Sequence, residues 1–209
     1  MKFYDFAHGT AAMRGQLKSY VDAGGREITA SYGGNHLISS FVQSSGGDSN
    51  GYYYDYTSVG GADRLEYVTL KVDASNVRRV EYDYYDGSDS HGSAGDLRRA
   101  RIQEWDGSAW NTKSTHYYRY YKSGDTDGVA HGVKYVLSPL GYASMVAAGI
   151  TPETATNAQV EAYCQHLVPV QWRPVGEGGK GQCGRVDLRA DLQHERFWQR
   201  GEQLEGQDD

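Results

Sequence analysis

The sequence predicts a mainly β protein, an antiparallel meander of short hairpins with a helical hairpin inserted near residues 138–167. The first observation is composition: the 209 residues include 18 tyrosines and 27 glycines but only 4 prolines. Tyrosine is favoured in strands, and glycine is favoured in tight turns. The second is alternation: residues 79–84, RVEYDY, alternate charged with apolar or aromatic side chains. Because successive strand residues point to opposite faces, this pattern predicts one aromatic face and one charged face.

Strand candidates recur along residues 1–137, and each is closed by a cluster of glycine, aspartate and serine. This regular alternation of strands and turn residues predicts an antiparallel meander. In order, the predicted strands are 28–32, 37–42, 52–56, 65–72, 77–85, 97–105, the strand that ends in THYYRYYK, and 131–137.

Residues 138–167 change character and predict two helices. SPLGYASMVAAG places proline near a helix start and glycine at its end. In the second helix Thr156 or Asn157 is the expected N-cap. Val160, Tyr163, Cys164 and Leu167 then share one stripe, so Cys164 is expected to face the core rather than to bind a ligand.

Tyrosine is absent from the tail, 168–209, where glycine, glutamine, arginine and tryptophan are frequent. We predict a segment of low order, and we interpret it as foreign to the preceding sequence, for example a frameshifted end. The two cysteines, Cys164 and Cys183, could form a disulfide, but two thiols alone decide neither pairing nor redox compartment.

The charge balance and the apolar runs exclude several partners. With a net charge of −6, the chain lacks the basic surface that nucleic-acid binding requires. No apolar run is long enough for a membrane span. The first ten residues, MKFYDFAHGT, lack the apolar region of a signal peptide, so the chain is either intracellular or lacks the start of a longer exported protein.

The segment SYVDAGGREITA, residues 19–30, raises the question of what Asp22 does. Aspartate is favoured at the first position of a β-turn and glycine at its exit. We therefore predict that Asp22 and Gly25 turn the chain between strands that carry Tyr20 and Ile28, and that Asp22 is not catalytic.

A repeat is visible: Tyr-x-Tyr-Asp or a variant, a glycine turn, then a return strand that begins with leucine or isoleucine. Its structural residues are predicted to be Tyr20, Asp22, Gly25 and Arg26 in one copy, Tyr54 and Asp55 in another, and Tyr82, Asp83, Gly95 and Leu97 in a third. A degraded copy follows Tyr32, where Gly33 replaces the acid, and residues 117–121 keep the aromatics without the acid.

These repeats resemble the YD-repeat, or RHS-repeat, family of large bacterial surface and secreted proteins, over about residues 1–167. RGQLKSYVDAGGREIT, YDYYDGSDSHGSAGDL, HYYRYYKSGD, HGVKYVLSP and TATNAQVEAYCQHL are similar to the divergent, very long RHS proteins of planctomycete-type bacteria. The resemblance implies a β-strip wound into a hollow shell, a scaffold rather than a catalyst, of which this chain is a fragment. The helical insert, the lost acid at Gly33 and the missing shell-closing motif depart from the pattern, so no self-cleavage or toxin activity is carried over.

No constellation in the sequence predicts an enzyme, a metal or a cofactor. The seven histidines show no metal-binding spacing. The acid-rich loop DYYDGSDSHGSAGD supplies oxygens but lacks the order of a calcium loop, which favours a solvated turn. Nucleophile-elbow, P-loop and dinucleotide motifs are missing as well.

Aromatic side chains give the alternative function, a carbohydrate-binding module that uses Trp105, Trp110, Tyr118 and Tyr120. The competing interpretation is that these rings cover one another across strands. The other predicted partners are flanking YD repeats or like chains, which would pair through exposed sheet edges at the cell surface or outside the cell.

Overall fold

A computed structural model describes residues 1–45 and 47–164 of the chain. Within them ten strands form one antiparallel sheet whose spatial order follows the sequence, so the predicted mainly β meander is confirmed. The strands are β1 (Lys2–Phe3), β2 (Leu17–Val21), β3 (Glu27–Tyr32), β4 (Ile38–Ser45), β5 (Asp48–Val59), β6 (Ala62–Val72), β7 (Ser75–Tyr84), β8 (Leu97–Trp105), β9 (Trp110–Tyr120) and β10 (Val133–Leu137). Two short helices follow, α1 (Pro139–Ala147) and α2 (Asn157–Glu161).

Every hairpin that leads from an odd-numbered to an even-numbered strand contains a β-bulge at the same place. The register shifts next to one pair in each hairpin, and the extra residue lies on the even-numbered strand. These pairs, here called bulge pairs, are Phe3–Leu17, Tyr32–Ile38, Tyr56–Leu65, Tyr84–Leu97 and Tyr120–Val133, and the extra residues are Lys18, Ser39, Glu66, Arg98 and Lys134.

The loops beyond the bulge pairs also share a closing geometry. The residue after the bulge-pair aromatic exchanges two backbone hydrogen bonds with the far end of the loop, as in Tyr85 N to Asp96 O and Gly95 N to Tyr85 O, both 2.9 Å. Gly95 there has a φ of +86°, a left-handed conformation that suits glycine. The equivalent left-handed residues of the other loops are Gly15, His36 and His131.

The two ends of the sheet differ in their connections. The loop end carries connections as long as residues 85–96 and 121–132, whereas the turn end has short ones such as 73–74 and 106–109. At the turn end Asp22 accepts hydrogen bonds from Gly24 N at 2.8 Å and Arg26 N at 2.9 Å, and its carboxylate pairs with Arg26 Nε at 2.7 Å. Asp22 therefore holds the β2–β3 turn.

The register divides the sheet into two chemically different faces. One, the aromatic face, carries Tyr54, Tyr56, Tyr82, Tyr84 and Tyr118, with aliphatic residues between them. The other, the polar face, carries alternate residues such as Asp55, Glu81 and Arg101, as the alternation in the sequence predicts.

In the described part of the chain, helices cover the polar face beside β9 and β10, where the hydrophobic core lies. Tyr117, Leu137, Met145, Ala155 and Val160 form this core, and the Cys164 thiol packs against it half-buried. Ser138 caps α1 through its side chain, and Thr156 forms a capping box with Gln159 at the start of α2. Elsewhere the described residues form a single layer, with small or polar buried residues such as Ser40 and Thr69.

Several predictions fall on residues that the structure does not describe. These are the low-order tail at 168–209, the end of the second helix at Leu167, and the pairing of Cys183 with Cys164. They stay predictions.

Candidate functional site

A repeated side-chain contact links each hairpin to the one before it. Tyr32 Oη donates to the carbonyl of Leu17 at 2.9 Å, and Tyr56 Oη donates to that of Ile38 at 2.9 Å. In the same way Tyr84 Oη donates to the carbonyl of Leu65 at 2.7 Å. We call Tyr32, Tyr56 and Tyr84 the hook tyrosines.

Donor and acceptor of each contact both belong to bulge pairs. Tyr56, for example, pairs with Leu65 in its own hairpin and donates to Ile38, which pairs with Tyr32 in the preceding one. A bulge disrupts the regular ladder of backbone hydrogen bonds and increases the local twist. The hydroxyl therefore gives the carbonyl at the irregularity a partner and fixes the position of successive hairpins.

The hook hydroxyls are half-buried, which keeps them in the donating form. Burial raises the pKa of Tyr32, Tyr56 and Tyr84 above the ordinary tyrosine value. At Tyr120, burial and then the charge of Asp96 raise the pKa to about 12, while the backbone of Leu97 acts in the opposite direction.

The predicted repeat residues occupy two kinds of position. Tyr54–Asp55 and Tyr82–Asp83 are equivalent, because each pair directly precedes a hook tyrosine. Gly95 is the left-handed residue of its loop, and Leu97 belongs to a bulge pair. The copy made of Tyr20, Asp22, Gly25 and Arg26 lies at the turn end of the sheet, whereas the other two lie towards the loop end.

On the polar face an ion-pair cluster joins the sheet to the helical segment. Asp83 accepts from Arg98 at 2.8 Å and from Arg99, whose Nη1 also donates to Glu153 at 2.8 Å. Burial alone would raise the pKa of Asp83, but hydrogen bonds from the two arginines hold it below its ordinary value. The acid of the YD-like motif is therefore an ion-pair partner at this position.

Of the four predicted glycan contacts, two lie together on the polar face. The rings of Trp105 and Trp110 flank the β8–β9 turn with centroids 5.2 Å apart. The Arg79 guanidinium lies 4.5 Å from the Trp110 ring and 4.3 Å from the Tyr67 ring. It is thus held between two aromatic faces.

Tyr118 and Tyr120 lie on the aromatic face instead, about 26 and 33 Å along β9 from Trp110 at the usual rise per residue. Tyr118 stacks on His116, and Tyr120 packs edge-on against Tyr85. The structure therefore does not bring the four aromatics into one site.

Residues 1–45 and 47–164 contain neither a cluster of metal ligands nor a membrane-spanning helix. No group of three or more His, Cys, Asp or Glu side chains in this part of the chain could hold a metal ion. Neither α1 nor α2 has the length and apolar character to cross a membrane. The chain matches no protein-family model, no curated protein and no solved structure.

We expect the substitution Tyr84→Phe to lower the free energy of unfolding by about 1 kcal/mol, because it removes one half-buried hydrogen bond and leaves the Leu65 carbonyl without its donor. Urea unfolding measures the change. The control is Tyr52→Phe, since Tyr52 lies on the same face with half of its surface exposed; its effect should stay within about 0.5 kcal/mol. Equal effects of the two substitutions would count against a role for the hook hydroxyl.

Proposed function

We propose that the chain is a non-enzymatic structural segment of a YD-repeat or RHS-repeat shell protein at the cell surface or outside the cell. The observation that carries the proposal is the series of hook tyrosines, each tied to the bulge pair of the preceding hairpin. This device gives successive hairpins the same geometry, which is what a long repetitive wall requires.

The distribution of burial supports a wall rather than an enzyme. Apart from the small core under α1 and α2, the described sheet is a single layer, and most residues of β4 to β7 are only partly buried. Ion pairs such as Arg98 with Asp83 and Arg101 with Glu81 link neighbouring strands. Those charged groups hold the sheet together.

The two edge strands of the described sheet differ in accessibility. Beside β10, both helices pack against the sheet, and the Cys164 side chain packs against the core there. At the other edge, Tyr4 exchanges its backbone hydrogen bonds with Gly15 and Gln16, so Phe3 turns its N–H outward. An open strand edge is a template for pairing with another strand, so β1 is the surface at which further hairpins or like chains would add.

Self-association through β1 is the test of this proposal. In sedimentation velocity the mass of the particles should increase with protein concentration, and Phe3→Pro should suppress the increase by removing the outward N–H. Phe6→Ser is the control. Phe6 is 83 % exposed, so its replacement shows whether association depends on non-specific hydrophobic contacts instead. The proposal would be contradicted if the chain stayed monomeric at all concentrations. It would also be contradicted if Phe6→Ser, but not Phe3→Pro, suppressed the self-association.

A further inference from the structure

A groove of about 310 Å³ lies on the polar face across β5, β6, β7 and β9. Its size is at the lower limit of small-ligand pockets. The buried Thr69, which is 6 % exposed, lies at the bottom of the groove. The side chains of Tyr53, Lys71, Arg79 and Trp110 line its sides.

The two cations of the groove are held in place by aromatic rings. Lys71 Nζ lies 4.8 Å from the centre of the Tyr53 ring. Arg79, between Tyr67 and Trp110, also donates from Nε to Gln103 Oε1 at 2.6 Å. Fixed side chains lose little rotamer freedom when a ligand binds, which favours recognition at these positions.

The charge and the polar groups define the ligand that would fit. Lys71 and Arg79 outnumber the single acid, Asp55, so the groove is locally positive on a chain with a net charge of −6. One excess positive charge balances a single carboxylate, whereas a phosphate dianion would leave one negative charge without a partner. Asp55, Asn76 and Thr69 offer acceptors and donors for hydroxyl groups, and the aromatic rings offer apolar surfaces.

We propose that this groove binds an acidic saccharide, with the sugar ring against Tyr53 or Trp110 and its carboxylate at Lys71 and Arg79. A sugar that carries a carboxylate combines the three properties of the lining: an apolar C–H face, several hydroxyls and one negative charge. The site goes beyond the scaffold proposal and does not depend on it, since sugar binding and strand addition at β1 use different parts of the sheet.

The experiment is isothermal titration calorimetry of the full chain with tetragalacturonic acid and, as a neutral probe, maltotetraose. We expect binding of the acidic probe that weakens with added salt, and no comparable binding of the neutral one. Lys71→Met keeps most of the side-chain stem and should weaken binding about tenfold, by removal of a charged hydrogen bond.

Lys18→Met is the matched control, because Lys18 also lies over a tyrosine ring, 5.7 Å from the centre of Tyr4, but outside the groove. Its affinity should stay within about twofold of the parent chain, a difference below about 0.5 kcal/mol. The proposal is overturned if the acidic probe does not bind at millimolar concentration. Equal binding of maltotetraose, or equal losses in the two lysine variants, would overturn it as well.

Discussion

Replacing Arg119 by methionine is expected to lower the free energy of unfolding by about 3–5 kcal/mol, because a buried cation and its hydrogen bonds are lost together. Arg119 is 1 % exposed. Its guanidinium donates to Asn157 Oδ1 at 2.7 Å and to the carbonyls of Pro152 at 2.9 Å and Ala155 at 2.6 Å. It also donates to Tyr117 Oη at 3.2 Å.

These contacts explain why the effect should concentrate in the helical segment. Methionine fills most of the space but leaves the acceptors of residues 152–157 buried without a donor. Hydrogen exchange of the amides in α1 and α2 should therefore accelerate more than exchange in β5 and β6. The helical segment would separate from the sheet first, since Arg119 is its deepest polar connection to β9.

Two further variants make the Arg119 prediction specific. Arg119→Lys keeps the charge but not the planar group that reaches several acceptors, so we expect an intermediate loss of about 2 kcal/mol. Arg26→Met removes an exposed arginine that pairs with Asp22 at the surface, and should cost less than about 1 kcal/mol. Urea unfolding that finds Arg119→Met no worse than Arg26→Met would contradict the assigned role.

Local sequence chemistry predicts much of this fold. The RVEYDY alternation at 79–84 predicts the two faces of the sheet, and glycine and aspartate clusters mark the hairpins. Thr156 was one of two expected N-caps, and it is the residue that forms the capping box. These features depend on neighbours in the sequence, so a single sequence contains enough information to predict them.

The hook contacts were not predicted, because their partners are far apart along the chain. Tyr84 and Leu65 are separated by 19 residues, and only the register and the bulge bring the hydroxyl to the carbonyl. A signal does exist in the sequence. A second tyrosine follows two residues after the first in YDY at 54–56 and 82–84, and in YRY at 118–120.

Arg119 illustrates a second limit of sequence reasoning. Arg119 occupies the position of Asp55 and Asp83 in the other hairpins. The repeat pattern therefore shows only that the acid is missing there, and it says nothing of what the arginine does. Its role comes from the helical segment, which returns over β9 and supplies neutral acceptors. The polar-face groove is likewise only partly predictable: Trp110 is among the aromatic residues that the sequence suggests for glycan binding, but Lys71 and Tyr53 come together only through strand pairing.

Removing one complete hairpin is expected to leave a folded protein, if the hook tyrosines define a structural repeat. Deletion of residues 33–56 joins Tyr32 to Thr57, so that Tyr32 takes the place of Tyr56 in the bulge pair with Leu65. Ala30 then lies beside Val68, on the same face as the Tyr54 that it replaces, and Glu27 lies opposite Lys71. The hooks from Tyr32 to Leu17 and from Tyr84 to Leu65 both persist.

A deletion of equal length in the wrong phase provides the control. Removing residues 45–68 joins Ser44 to Thr69, two residues whose side chains lie on the same face of the sheet. Since adjacent strand residues must point to opposite faces, one half of the new strand would expose its buried side and bury its exposed side.

The most direct test of the hairpin repeat is therefore urea unfolding of these two deletion variants beside the full chain. The account predicts one cooperative transition for the chain without 33–56, with a slope reduced in proportion to its smaller buried surface, and no folded baseline for the chain without 45–68. Similar unfolding curves for both deletions, folded or unfolded, would contradict it.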